Sequence, residues 1–331
     1  MGRSNGDRCK IYWATDYGEH AIGNAYGYRV HNNTLREYVR MIADLREDAP
    51  NALLITAPEF YKRIEGKVNF LFTMFEGTTL PDIYVKAIKQ ADYLIAPSTW
   101  VKERFDQYFA PAIKSFVVNH GVEGVFSYKK RHYPTDRPFR YLWMGAPNPR
   151  KGWEEIVVVW DRVGFKHNPT VELYLKTTRV EGLQRKGNVI LDGRNLTKRQ
   201  LAALYHKAHC FVFPTRGEGF GLTLAEAMRT GLPCIATDYS GVRDFFDSTV
   251  GYPIGYKMGE GEMTFIGTKL KARTQIAFPD IVQLVEAMAE VRKNYDEALK
   301  RGKRASARIR TRFTWPLAAK RLVDVIKEYG R

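Results

Sequence analysis

Cysteine is scarce in this chain. Only Cys9, Cys210 and Cys234 occur in 331 residues. Their number is odd and no pair has a CxxC or metal-ligand spacing, which excludes a disulfide framework, a zinc cluster and a dithiol redox pair. Cys210 and Cys234 sit in apolar, strand-like runs and read as small buried hydrophobes. No apolar run approaches the roughly 18 residues that a membrane-spanning helix needs. The polar start Met1-Gly-Arg-Ser-Asn-Gly-Asp-Arg8 also lacks the apolar segment of a signal peptide, so a soluble cytoplasmic protein is expected. There is no DxD pair or His/Cys cluster, and Asp192 and Asp238 stand isolated, so neither a metal nor a cofactor is expected. Negative charge is the remaining shortage. The 52 Lys and Arg against 36 Asp and Glu leave a formal charge of +16, an excess that draws polyanions, whether nucleic acid or an anionic membrane face.

What is present is ample apolar material, at 44% hydrophobic and 13% aromatic residues. A chain of this length exceeds one core, so two domains are expected. Short β-rich runs alternate with helical patterns, which is the signature of parallel sheets covered by helices. Strands are expected at 11–15, 52–56, 69–75, 93–97 and 114–118, with helices at 34–46, 81–90 and 99–109. Ser98 stands as an N-cap before the third helix, and Pro81 suits a first turn. The polar stretch from Ser127 to Pro138 interrupts the alternation. It places a first lobe at 1–127, a linker at 128–138 and a second lobe at 139–314. There, strands are expected at 140–144, 172–176, 189–192, 210–214 and 234–237. Helices follow at 153–163, 198–206, 222–230 and 280–294, then a basic helical stretch at 297–313 and a last helix at 316–328. Two doubly wound lobes in sequence would place a ligand in a cleft facing the carboxyl ends of both sheets.

The segment Pro214-Thr-Arg-Gly-Glu-Gly-Phe-Gly-Leu-Thr-Leu-Ala-Glu-Ala-Met-Arg-Thr-Gly-Leu-Pro-Cys234 reads as strand, glycine-rich turn, helix, glycine stop and strand. Its physics is that of a phosphate site. Gly217, Gly219 and Gly221 permit close backbone approach, and the helix starting near Leu222 and Thr223 turns unpaired N–H groups and a positive dipole end toward an anion. Glu218 lies in the turn, where a carboxylate suits sugar hydroxyls better than phosphate. Glu226, one turn into the helix, can accept hydrogen bonds from ribose hydroxyls. The loop Asp16-Tyr-Gly-Glu-His-Ala-Ile-Gly-Asn-Ala-Tyr-Gly-Tyr28 follows the first strand at the carboxyl edge of its sheet. Its Gly23 could admit a donor, and Asp16, Tyr17 and Tyr26 could contact an acceptor. A purely structural loop reads equally well.

These residues resemble the Glu-x7-Glu signature of glycosyltransferase family four, retaining enzymes of the GT-B architecture. Val117-Val-Asn-His-Gly-Val-Glu-Gly-Val-Phe126, Tyr141-Leu-Trp-Met-Gly145 with Arg150-Lys-Gly-Trp153, Asn188-Val-Ile-Leu-Asp-Gly193, Leu201–Cys210 and Phe313-Thr-Trp315 resemble family motifs in the same order. The resemblance implies two Rossmann-like lobes with a final helix, 315–331, returning to the first. It also implies sugar transfer from a nucleotide diphosphate, with retention and without a metal. A UDP-sugar is the expected donor, by frequency among such enzymes rather than from any residue. Carried over, Lys151 neutralises the diphosphate, Glu218 holds sugar hydroxyls, Phe220 and Gly221 offer backbone N–H groups and Glu226 binds ribose. Lys151 also follows from chemistry, since a leaving diphosphate without a metal needs a fixed positive charge. Where the family places an Arg after the glycine equivalent to Gly145, this chain has Ala146, and Arg150 or Lys176 is the substitute. The His that relatives place near the acceptor is also missing, and Glu76 occupies that neighbourhood.

Three readings of the partner compete. The charge favours a hydroxymethylated base in DNA, as in viral enzymes that glucosylate their own genome, with Lys129, Lys130 and Arg131, then Lys300, Arg301, Lys303 and Arg304, as phosphate contacts and Tyr17, Tyr26 and Tyr28 as base-stacking rings. The family favours a lipid-linked or surface glycan at an anionic membrane. A non-catalytic sugar-nucleotide or DNA binder is the third, and the presence of Lys151, Glu218 and Glu226 together argues against it.

Overall fold

The computed structural model describes residues 8–14, 26–146, 148–178, 180–264 and 271–331. The chain forms two compact units, Met1–Gly121 with Glu260–Gln275 and Phe313–Arg331, and Val122–Gly259 with Ile276–Arg312. The first division falls at Gly121, ahead of the expected 127/128 boundary. Residues 128–138 are not a free linker, because they pack into the second unit. Lys129 N–H donates to the Thr230 carbonyl (3.1 Å), and Arg131 is buried beneath it.

In the first unit, β1 (Lys10–Trp13), β2 (Asp44–Leu45), β3 (Asn51–Ile55), β4 (Val68–Phe72), β5 (Tyr93–Ala96) and β6 (Lys114–Val117) form a sheet in the order β2-β1-β3-β4-β5-β6. Every pair is parallel. Continuous apolar runs such as Ala52–Ile55 and Phe70–Phe72 are buried throughout, as strands covered on both faces must be. Helices α1 (Tyr26–Val39), α2 (Asp82–Ile88) and α3 (Thr99–Phe109) lie among these strands in the chain. Ser98 caps α3 as expected, its hydroxyl accepting from Val101 N–H at 3.3 Å. The helix expected at 34–46 runs Tyr26–Val39 instead. Tyr28, His31, Leu35 and Val39 make a buried stripe at helical spacing, and this packing outweighs the weak helix propensity of Asn32 and Asn33. Tyr28 is therefore a core residue with its hydroxyl beside that of Thr73 (3.1 Å), not a ring exposed for base stacking.

In the second unit, β7 (Phe139–Met144), α4 (Trp153–Arg162), β8 (Val171–Lys176), β9 (Leu183–Lys186), β10 (Val189–Asp192), α5 (Lys198–Lys207), β11 (Cys210–Phe213), α6 (Leu222–Arg229), β12 (Cys234–Thr237) and β13 (Tyr252–Ile254) follow one another. The sheet order is β13-β12-β11-β7-β8-β10-β9, with only β9 antiparallel, on an exposed edge. Strand order thus reverses between β7 and β11. Thr197 and Gln200 form a capping box at α5. Two paired strands that the sequence pattern does not announce, β14 (Tyr256–Thr264) and β15 (Lys271–Pro279), precede α7 (Ile281–Lys293) and α8 (Tyr295–Arg312) in the chain. Gly302 sits within α8 because a Cβ there would stand 2.4 Å from the Gly231 carbonyl oxygen.

The last helix, α9 (Trp315–Tyr329), belongs to the first unit. Trp315, Leu322, Val323 and Ile326 join Ile11, Leu53 and Phe70 in one apolar cluster, each contributing about 1.5–3 kcal/mol by burial. Gly121 allows this approach, since a Cβ on it would lie 2.1 Å from Trp315 N. All three cysteines are free and buried. Among the described residues no helix is long and apolar enough to cross a membrane.

Candidate active site

Open α/β sheets bind ligands at the carboxyl ends of the strands where the order reverses, and in the second unit those are β7 and β11. The loops leaving these two strands are joined through their backbones. The Arg150 carbonyl accepts from Arg216 N–H (2.8 Å) and lies 3.2 Å from the Thr215 hydroxyl oxygen. Gly152 has a left-handed φ of 69°, and a Cβ on it would stand 1.9 Å from the Pro214 carbonyl oxygen, so only glycine permits this closeness. Asn148 caps the turn Pro149–Lys151, and the Trp143 indole donates to the Lys151 carbonyl (3.0 Å). The turn is thus fixed at both ends.

These loops bring three of the expected residues together. Lys151 Nζ donates to Glu218 Oε1 at 2.6 Å, and Arg150 stands 3.2 Å from the same oxygen. The Thr215 hydroxyl donates to it at 3.0 Å. Glu218 is 6% exposed. Burial works to raise its carboxyl, but Lys151 and Arg150 outweigh burial and hold it below the usual carboxylate range. Two cations on one carboxylate leave positive charge to spare in a site largely closed to water, which is the electrostatic requirement for a diphosphate.

Gly219, Phe220, Gly221, Leu222 and Thr223 form the approach to α6 and its first turn. Gly221 is the residue before the helix, with φ of 95°. The Phe220 ring packs on Phe245 with centroids 5.0 Å apart, which anchors the start of the helix. Glu226 follows one turn later. The buried Tyr205 of α5 donates to Glu226 Oε2 (3.0 Å) and reaches the Thr223 carbonyl (3.1 Å). Burial pushes the Glu226 carboxyl up to about 8, while the Tyr205 hydroxyl and Lys198 oppose the rise and Glu123 adds to it. Lys198 and Glu123 are themselves ion-paired.

Other expected residues are placed differently. Lys176 ends β8 but gives its ammonium to the Asp192 carbonyl (3.1 Å), and burial lowers its pKa. Of the two expected substitutes, Arg150 meets Glu218, whereas Lys176 joins Asp192 and Arg194. Glu76 lies in the loop after β4 of the first unit, where burial and then the charges of Glu59 and Glu76 push the Tyr84 hydroxyl up. Asp16, Tyr17 and Gly23 lie outside the described residues, as does the side chain of Tyr26. Arg131, expected on a DNA-facing surface, is buried. Its guanidinium donates to the carbonyls of Thr230 (2.6 Å) and Tyr205 (3.1 Å), and burial lowers its pKa to about 10. On α8, Arg301 donates to Glu297 and to the Gly251 carbonyl, and Arg304 to the Thr249 carbonyl, while Lys300 and Lys303 are exposed. Thr215 and Tyr205 were not foreseen. Thr215 lies inside the glycine-rich segment Pro214–Cys234, whereas nothing local to Tyr205 signals its contact with Glu226.

A sequence model described as "Family 4 Glycosyltransferase in conflict systems" matches residues 73–322. A glycogen synthase of Mycobacterium tuberculosis is 23% identical over 244 residues, covering 70% of this chain and 53% of that protein. A sucrose synthase of Denitrovibrio acetiphilus is 28% identical over 156 residues, covering 46% of this chain and 18% of that protein. The chain therefore spans about half or less of the length of these relatives. Among solved structures, Anabaena HepE, crystallised with UDP and glucose, superposes with a TM-score of 0.68 over 97% of this chain and 100% of that one, at 11% identity. The sucrose-phosphate synthase of Thermosynechococcus elongatus gives 0.64 over 92% and 79%, at 16% identity. These likenesses show the fold, two Rossmann-like lobes of the GT-B type.

Proposed function

This chain belongs to the family 4 glycosyltransferases of conflict systems, and we propose from that membership that it moves a sugar from a nucleoside diphosphate donor to a hydroxyl acceptor, with retention and without a metal ion. The observation that carries this reading is the buried Glu218 carboxylate held by Lys151 and Arg150 at the β7/β11 reversal. The donor diphosphate takes the two cations, aided by the N–H groups at the start of α6. Glu218, released from them, accepts hydrogen bonds from sugar hydroxyls. Glu226 accepts from the ribose. Lys151 and Arg150 stabilise charge as it develops on the leaving diphosphate, the task a divalent cation performs elsewhere. The acceptor attacks from the face the diphosphate leaves, and the leaving phosphate oxygen takes the acceptor proton. Configuration is retained and no protein base is needed.

UDP is the nucleotide the reading favours, from the ligand in the HepE structure. For the acceptor, the charge of +16 supports a hydroxyl on a DNA base, with Lys129, Lys130, Lys300 and Lys303 as exposed phosphate contacts and Glu76 beside the acceptor. Incubation with a panel of sugar nucleotides, followed by mass spectrometry, should reveal slow hydrolysis of one UDP-hexose. The reading is wrong if no sugar nucleotide is bound or consumed. Retention on duplex DNA should weaken steeply between about 50 and 200 mM salt. Binding to anionic vesicles with none to DNA would replace the DNA acceptor with a membrane glycan.

A further inference from the structure

The short turn Ser240–Asp244 after β12 passes beneath the loop that carries Glu218. Ser240 is, among the described residues, the one non-glycine residue in the left-handed region, with φ of 64°. A Cβ makes that conformation unfavourable, and glycine would adopt it without cost. The side chain that imposes the strain is 1% exposed and fully used. Its hydroxyl accepts from Glu218 N–H at 2.8 Å and donates to the Tyr239 carbonyl at 2.6 Å. The next residue completes the grip, since Gly241 N–H donates to the Glu218 carbonyl at 3.0 Å. A Cβ on Gly241 would lie 2.2 Å from the Gly219 carbonyl oxygen, so the two segments are in direct backbone contact. Strain held in place by a specific hydrogen bond at a site marks a positional requirement.

We infer that Ser240 is a positioning residue, which fixes the peptide of Glu218 so that its carboxylate remains in register for the donor sugar once Lys151 and Arg150 turn to the diphosphate. The inference rests on the glycosyltransferase reading for the sugar, but its geometric half does not. In the free protein the Glu218 side chain is held by Lys151, Arg150 and Thr215. When the diphosphate takes the cations, the backbone clamp, with the Thr215 hydroxyl, keeps the carboxylate from following them. Loss of the clamp should therefore affect turnover more than nucleotide affinity, because small displacements of a positioning group cost rate.

Two substitutions separate strain from position. Ser240→Gly removes the hydroxyl and relieves the strain, whereas Ser240→Ala removes the hydroxyl and keeps it. Ser240→Gly should melt above Ser240→Ala, because it relieves the strain that Ser240→Ala keeps, and should exchange its Glu218 amide hydrogen about tenfold faster or more than the native protein. Its kcat with UDP-glucose should fall about tenfold or more, with KM and the Kd for UDP changed less than about threefold. Ser240→Ala should lose both stability and turnover. A Ser240→Gly protein that keeps native kcat within about twofold overturns the inference. If the native protein consumes no sugar nucleotide, the glycosyltransferase reading fails separately. Hydrogen exchange then decides alone, and native protection of the Glu218 amide in Ser240→Gly overturns the clamp.

Discussion

If Glu226 binds the ribose as a carboxylate, nucleotide binding must be coupled to its ionisation. In the free protein burial lifts this carboxyl to about 8, so at pH 7 roughly nine-tenths of the molecules carry it protonated. A protonated carboxyl can accept less from the two ribose hydroxyls, and the complex therefore favours the ionised form. Binding should release close to one proton at pH 7, about half at pH 8 and about a tenth at pH 9. The ionised fraction rises from about 0.1 to 0.9 between pH 7 and 9, so affinity for UDP should rise about tenfold, or roughly 1.4 kcal/mol. Above pH 7 the terminal phosphate of UDP, with a second pKa of about 6, is mostly ionised and adds little to the comparison. Calorimetry in buffers of different ionisation enthalpy counts the proton directly. Glu226→Gln should bind more weakly and lose the pH dependence. A native protein with flat affinity from pH 7 to 9 and no proton release would remove Glu226 from the ribose. The same shift has a sign for stability. Because the folded pKa is raised, the folded state holds the proton more tightly than the unfolded chain. Stability from this group is present below the ordinary carboxyl value and declines as pH rises toward 8, so Glu226→Gln should gain stability relative to the native protein above pH 8.

Lys151→Ala should lower kcat/KM by about 100-fold or more, as loss of a preorganised charge on a leaving group does; steady-state kinetics that stay within about fivefold of native would dissociate Lys151 from the diphosphate. Chelation by EDTA should leave turnover intact, and activity that vanishes and returns with Mn²⁺ would assign the charge neutralisation to a metal instead. Arg131→Ala should destabilise the second unit by about 3 kcal/mol or more, because the Thr230 and Tyr205 carbonyls lose their buried partner. Lys129→Ala and Lys130→Ala should stay within about 0.5 kcal/mol in the same urea titration, and equal losses at all three positions would contradict the buried placement of Arg131.

Ten of the strands, the parallel sheets and most helices were legible in the sequence because their cause is local: continuous apolar runs, a helical period, Ser98 at a cap and glycines at turns; β2, β9, β13, β14 and β15 were not. The Glu218–Glu226 pair was legible for the same reason, since the glycine turn and the helix that carry it are contiguous in the chain. Three features depended on contacts between distant segments. The extent of α1 followed from the buried stripe of Tyr28, His31, Leu35 and Val39 rather than from propensity. The surface role expected of Arg131 gave way because carbonyls 74 and 99 residues later accept its hydrogen bonds, and charge in a sequence does not show which arginine is buried. The choice between Arg150 and Lys176 required knowing that the β7 and β11 loops meet through Gly152 and Pro214. The sequence by itself determined most of the elements and the candidate residues for the chemistry, because propensity and period act over a few residues. Which of those residues meet, and what holds Glu218 and Glu226 in their charge states, was decided only by tertiary packing, which brings Lys151, Thr215, Tyr205 and Ser240 to them across the chain.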